Sequence, residues 1–187
     1  MNKIYENLKL LYTEKMIRSR INQLGKEISQ KYKNKSPIFI GVLNGSFIFL
    51  ADLLRSISID CEVDFIKVKS YSGKKSLGII KLVNDISIDI ERKNIIFVED
   101  IIDTGQTIKF LHQRFSRLFP KSIAIATLLH KPGNLKFDFP IEFIGFEIPQ
   151  EFVVGYGLDY NGKMRNLNGI YRMKNSSKQS QDQNGKK

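Results

Sequence analysis

Four consecutive apolar residues, Ile95-Ile96-Phe97-Val98, run directly into Glu99-Asp100-Ile101-Ile102-Asp103-Thr104-Gly105-Gln106-Thr107, and few folds accommodate that order. A short apolar run suits a buried parallel strand. Beyond it, the Asp-Thr-Gly turn opens a segment with apolar residues at Ile108, Leu111, Phe115 and Leu118, which is helical spacing. Backbone N–H groups of Gly105 and Gln106, the hydroxyls of Thr104 and Thr107, and the positive end of that helix together form an anion cradle suited to a phosphate monoester. Glu99 and Asp100 at the strand's end suit a different group. They accept from sugar hydroxyls or hold water on a hard cation such as Mg²⁺. The implied ligand is a phosphorylated sugar.

The same alternation recurs along the chain. Ile38 to Val42 reads as a buried strand and Phe47 to about Ile57 as the helix after it, while Glu62 to Lys69 is a strand with partial alternation. The polar, glycine-bearing stretch Ser72-Gly73-Lys74-Lys75-Ser76-Leu77-Gly78 reads as a mobile loop joining two paired strands. Ile123–Leu129 and Ile141–Phe146 complete the series. Alternating strands and helices predict an α/β sheet with right-handed crossovers and a ligand crevice at the carboxyl ends of the strands. Before them, Leu10, Met16, Ile17, Ile21, Leu24 and Ile28 predict one amphipathic helix reaching about Tyr32. From Asn175 onward there is nothing apolar to bury, which predicts a disordered tail.

A chain of 187 residues fits one domain with a real core. Its 42% hydrophobic and 26% charged residues are those of a soluble globular protein, no apolar run is long enough to span a bilayer, and the N-terminus lacks the pattern of a signal peptide. A cytoplasmic location is expected. Cys61, the only cysteine, excludes an intrachain disulfide; between Asp60 and Glu62 it has no cationic activator and reads as inert filler. The net charge of +11 raises the question of nucleic acid. However, residues 36–162 carry fourteen Lys/Arg against fifteen Asp/Glu, so the excess sits at the two ends. Basic ends suit nonspecific attraction to RNA or a membrane surface, but an AT-rich coding sequence would enrich Lys, Ile and Asn equally, and neither partner is expected.

Two glycine-bearing stretches fail as other nucleotide motifs. Gly41-Val42-Leu43-Asn44-Gly45-Ser46 lacks the Gly-Lys-Ser/Thr ending of a P-loop, and Gly155-Tyr156-Gly157 lacks the third glycine of a dinucleotide fingerprint. Glu99–Thr107 instead resembles the phosphoribosyl pyrophosphate signature of type I phosphoribosyltransferases. Gly41–Phe47, Ser70-Tyr71, Lys131-Pro132 and Glu151-Phe152-Val153-Val154-Gly155-Tyr156-Gly157-Leu158-Asp159-Tyr160, in that order, resemble the hypoxanthine (hypoxanthine-guanine) members. The likeness runs from about residue 8 to about residue 173. It implies a central, mostly parallel sheet flanked by helices, with a small hood from the chain ends. The boundaries would be one domain over 1–174, with core about 36–148 and hood from 1–35 and 149–174, then a basic tail over 175–187.

The implied reaction is transfer of ribose 5-phosphate from phosphoribosyl pyrophosphate to purine N9, giving IMP or GMP and pyrophosphate in purine salvage. An oxocarbenium-like sugar and a highly charged leaving group then call for cations at the pyrophosphate and anchors on the ribose. By resemblance, Glu99 and Asp100 meet the ribose hydroxyls and hydrated Mg²⁺, and Asp103 through Thr107 hold the 5-phosphate. Asp103 matches the family's general acid or base at purine N7, although an Asp there also suits a helix N-cap. Asn44-Gly45 falls where the family binds pyrophosphate, often through a non-proline cis peptide; a plain tight turn is the alternative. Arg165 matches a residue that contacts pyrophosphate as well, and Asp159 matches a second metal ligand near the purine.

Lys131 matches the lysine that donates to purine O6, which only accepts. Phe152 matches the aromatic platform under the base, and the Val153 backbone would bond the six-membered ring. Ser70-Tyr71 match the start of the family's loop that closes over the reacting sugar and excludes water. A homodimer or homotetramer is implied too. His130 stands where many bacterial relatives have an acidic residue, which bears on guanine preference. His112 reads as a polar helix position.

Overall fold

The computed structural model describes residues 7–71, 79–133 and 137–173. The loop expected over 72–78, the side chains of Ser70 and Tyr71 and the tail from 175 lie outside the described residues. Two sheets organise the rest. The larger holds β2 (Ile38–Leu43), β3 (Glu62–Tyr71), β4 (Ile79–Asn84), β5 (Asn94–Ile102), β6 (Ser122–His130) and β7 (Phe143–Glu147). Its order is β4-β3-β2-β5-β6-β7, with only the β3–β4 pair antiparallel.

The apolar runs arise because both faces of this sheet are covered. Phe39, Ile96, Val98, Ala124 and Ala126 pack with α1 (Glu14–Lys31) and α2 (Phe47–Ser56). Ile38, Ile40, Val42, Ile95, Phe97 and Ile125 turn the opposite way and pack with α3 (Gln106–Phe115). A strand whose alternate residues meet helices on either side has no position left for a polar residue. The Phe97 and Phe115 rings meet edge to face at 5.1 Å, an arrangement worth about 0.5–1.5 kcal/mol beyond area burial.

Helix α1 starts at Thr13, whose Oγ1 accepts from the Met16 N–H at 3.2 Å; losing such a cap costs about 1 kcal/mol. Ile17, Ile21, Leu24 and Ile28 form its buried stripe. Gly25 lets α2 approach, because a Cβ there would stand 2.1 Å from Ser56 Oγ. Arg20 covers part of the edge strand β7 by donating to the carbonyls of Ile144 (2.7 Å) and Gly145 (3.0 Å).

The smaller sheet joins the two ends of the chain. β1 (Leu8–Tyr12) pairs antiparallel with β9 (Ile170–Met173), which pairs antiparallel with β8 (Val153–Val154). Helix α1, grouped by the sequence reading with the hood, packs instead on the large sheet, because its apolar stripe matches the face formed by Phe39, Ile96 and Val98. Leu118 also departs from the expected helical stripe: α3 ends at Phe115, a 3-10 turn follows over Ser116–Leu118, and Leu118 is exposed.

Strand order places the site. The chain leaves β2 toward β3 on one side and β5 toward β6 on the other, so the β2 and β5 carboxyl ends flank a topological switch point, where open α/β sheets bind ligands.

Candidate active site

β5 does not stop at Val98. It continues through Glu99 and Asp100 to Ile102, so the two carboxylates sit on the strand itself. Gly105, at φ +69°, is the N-cap of α3 and provides no side-chain cap. The first N–H groups of α3 thus have no partner within their own helix. A cavity of about 120 Å³ lies against them, lined by Glu99, Asp103, Thr104, Gly105, Gln106 and Thr107 among others. With one water occupying ~30 Å³ of liquid, this is room for a phosphate group.

Asp103 stands two residues before the N-cap. Its Oδ2 accepts from Lys131 Nζ at 2.8 Å. Lys131 follows β6 directly, with its N–H bonded to the Ile102 carbonyl at 2.9 Å, and its side chain is 10% exposed against 45% for Asp103. The cation expected at the base and the carboxylate expected to move a proton are therefore in direct contact.

Glu99 is buried, and its Oε2 has no hydrogen-bond partner. Burial, reinforced by the Asp100 charge, pushes its carboxyl well above the ordinary range. Asp100 is pushed up to about 6, chiefly by burial and further by Asp159, against the opposing pull of backbone N–H groups and Arg165. Two neighbouring acids raised in this way mark a place short of positive charge.

The β2 end meets this pair at close quarters. A Cβ on Gly45 would fall 1.6 Å from Asp100 Oδ2, and one on Gly157 would fall 2.2 Å from the Gly45 carbonyl. The Leu43–Asn44 peptide is cis, one bond before the Asn44–Gly45 bond. Arg165 bonds Asp159 at 2.7 Å and donates to the Gly157 carbonyl at 2.5 Å, while Asp159 also accepts from the Gly162 N–H at 2.6 Å. Asn44-Gly45, Asp100, Asp159 and Arg165 thus gather from three segments.

Phe152 is 54% exposed, with its ring edge-on to Tyr160 at 5.9 Å. An exposed aromatic beside a buried strand, Val153-Val154, is a residue type able to stack on a planar ligand. His130 is buried, and neither ring nitrogen has a hydrogen bond; Nδ1 stands 3.5 Å from Glu147 Oε1. Among the described residues no three His, Cys, Asp or Glu side chains converge as a metal cage.

Among the contacts that the sequence reading does not announce are Phe137 against Gly105, Tyr156 Oη donating to Asp52 Oδ2 at 2.5 Å, and Asp100 on Gly45. Alternation in Phe137-Asp138-Phe139 was a signal for the first. The other two join segments far apart in the chain.

Comparison with known proteins agrees with this geometry. The phosphoribosyl transferase domain matches residues 9–161. Hypoxanthine phosphoribosyltransferase of Escherichia coli (strain K12) is 43% identical over 163 residues, 86% of this chain and 92% of that protein. Hypoxanthine-guanine phosphoribosyltransferase of Aquifex aeolicus (strain VF5) is 44% identical over 168 residues, 89% and 94% respectively. A crystal structure of a Bacillus anthracis hypoxanthine-guanine phosphoribosyltransferase superposes with a TM-score of 0.84 at 41% identity, covering 88% of this chain and 98% of that one. The chain belongs to the phosphoribosyltransferase family, among its hypoxanthine and hypoxanthine-guanine members.

Proposed function

We propose that this protein transfers the 5-phosphoribosyl group of phosphoribosyl pyrophosphate to N9 of hypoxanthine, and of guanine, releasing pyrophosphate. The observation that carries the reading is the Lys131–Asp103 pair at the mouth of the phosphate loop. The two partners match neighbouring atoms, O6 and N7, on one edge of a 6-oxopurine. Lys131 donates to O6, which only accepts, and Asp103 takes the N7 proton as the N9 lone pair attacks C1 and the bond from C1 to pyrophosphate breaks. An entering base exchanges the ion pair for two substrate contacts, so neither charged group is left bare in the product complex.

The remaining roles follow from position. Asp103 to Thr107 hold the 5-phosphate at the start of α3, and Glu99 and Asp100 accept from the ribose hydroxyls. Asn44, Gly45 and Arg165 bind the leaving pyrophosphate. Phe152 stacks on the base and the Val153 backbone bonds its six-membered ring. Ser70 and Tyr71 lead into the segment that excludes water.

The acidic residues fit Mg²⁺. The unpartnered Glu99 Oε2 and the raised carboxyls are hard oxygen donors short of a counter-charge, and Mg²⁺ commonly takes only one or two carboxylates plus substrate phosphates. Glu99 and Asp100 would meet the hydrated ion, and Asp159, which does not converge with them into a three-carboxylate cage, would be a further metal ligand. Bound there, the ion supplies charge neutralisation at the departing pyrophosphate.

The same reading takes 1–174 as one domain capped by its chain ends, with 175–187 a disordered tail, working in the cytoplasm as a homodimer or homotetramer without membrane or nucleic acid. No helix among the described residues is long and apolar enough to cross a membrane. A spectrophotometric assay with phosphoribosyl pyrophosphate, Mg²⁺ and hypoxanthine tests the proposal. Turnover that stops on chelation is expected; absence of turnover with 6-oxopurines would contradict it.

A further inference from the structure

Three stacked rings tie the phosphate loop to the last turn of its own helix. The first lies on Gly105: a Cβ at that residue would stand 2.1 Å from Phe137 Cε1 and 2.7 Å from Cδ1, so the ring occupies the space any side chain would need. Phe137 stacks on Phe139 at 4.2 Å and 15°, and Phe139 stacks on His112 at 4.1 Å and 15°. His112 belongs to α3, whose N-cap is Gly105. The stack therefore closes a circuit, from Gly105 along the helix to His112 and back through the two phenylalanines. Phe137 and Phe139 are partly buried and pack on the core, while Asp138 between them is exposed.

We infer that Phe137 is a positioning residue for the 5-phosphate of the donor. Its ring confines Gly105 to the left-handed turn that aims the first N–H groups of α3 into the cavity, so the cradle exists before the ligand arrives. A glycine turn is otherwise free to sample both signs of φ, and ordering it on binding would subtract from affinity. Phe139 and His112 back the ring so that it cannot tilt away. The 131–139 connection thus serves the site at two points: Lys131 meets Asp103 at its start, and Phe137 meets Gly105 further along. This inference rests on the reading of residues 103–107 as the donor's 5-phosphate site.

Since the 5-phosphate is held alike before and during bond breaking, loosening its cradle should act on donor binding rather than on the chemical step. The test compares the unsubstituted protein with Phe137→Ala, Phe137→Leu and His112→Ala, varying both substrates and using ribose 5-phosphate as a competitor of the donor. Phe137→Ala should raise the donor KM and the ribose 5-phosphate Ki by about tenfold, leaving hypoxanthine KM and kcat within about twofold. Phe137→Leu should recover most of the loss, and His112→Ala should shift the same two constants by a smaller factor. A purely structural role would lower thermal stability without separating the two KM values. Unchanged donor KM and Ki in Phe137→Ala, or equal rises for both substrates, would overturn the inference. If Phe137→Ala does not fold, Phe137→Leu carries the same comparison at about threefold. Failure of ribose 5-phosphate to compete in the unsubstituted protein would instead overturn the assignment of the loop, and the inference with it.

Discussion

Lys131 Nζ donates to Asp103 Oδ2 at 2.8 Å across the carboxyl ends of β5 and β6. The lysine is nearly buried and the aspartate is half open, so the pair keeps a cation from being stranded while leaving a carboxylate edge to the cavity. Neither strand alone specifies this contact. The parallel register that sets Ile102 opposite His130 makes it.

Asp103→Asn retains a side chain able to accept from Lys131 but cannot take a proton. The expected outcome is a fall in kcat of roughly 10²–10⁴-fold, the usual worth of general acid–base catalysis, with donor KM changed by only a few-fold. Steady-state kinetics with both substrates varied measures this. Parallel losses in kcat and donor binding would remove the acid–base assignment.

Phe152→Ala should weaken IMP binding by about 1–3 kcal/mol, the worth of one base stacked on an aromatic ring. Because the ring is 54% exposed, thermal stability should hardly move. Calorimetric titration with IMP decides the matter, and unchanged affinity in a folded variant would take Phe152 out of the site.

Gly45→Ala places a methyl 1.6 Å from the present position of Asp100 Oδ2. Only the outer atoms of Asp100 need to move, so the protein should fold with little loss of stability. The displaced carboxylate should cost roughly 10- to 100-fold in kcat/KM for phosphoribosyl pyrophosphate, as small misplacements at a reacting centre do. A variant with full kcat/KM would show that the Gly45–Asp100 contact is irrelevant to the reaction.

Asp64 provides a pH-dependent test of the fold away from the site. Partial burial pushes its carboxyl up, but the Ser87, Phe65 and Ile88 N–H groups and the Ser87 hydroxyl outweigh that and hold it below the ordinary value. These bonds run at 2.6, 2.7, 3.1 and 3.1 Å respectively. A depressed acid stabilises the fold fully above its unfolded pKa of about 3.9, and that contribution is lost as pH falls through the lower folded value. In urea unfolding, Asp64→Asn should therefore be less stable than the unsubstituted protein near pH 7, with the gap closing below about pH 4. A gap independent of pH would contradict this account of Asp64.

The large sheet was readable because burial on two faces leaves a mark in one short stretch, as in Ile95–Val98. The phosphate loop was readable because Gly105 must take a positive φ where the strand turns into the helix. The small sheet was not. β1 pairs Leu8 with Met173, and β8 is two residues long, so no local pattern announces either. Leu118 was misassigned because α3 tightens before reaching it, and the turn is completed by Phe119 at φ +53°. The Asp103–Lys131 and Tyr156–Asp52 bonds depend on tertiary placement alone. Spacing along the chain does not encode which polar side chains meet across 28 or 104 residues.

The most direct measurement is kcat/KM for hypoxanthine, guanine, xanthine and adenine under one set of conditions with Mg²⁺ and saturating phosphoribosyl pyrophosphate. Recognition of O6 by Lys131 requires hypoxanthine to be used and adenine, whose 6-amino group donates where O6 accepts, to fall behind by about 10⁴-fold or more. Adenine turned over as well as hypoxanthine would contradict the account.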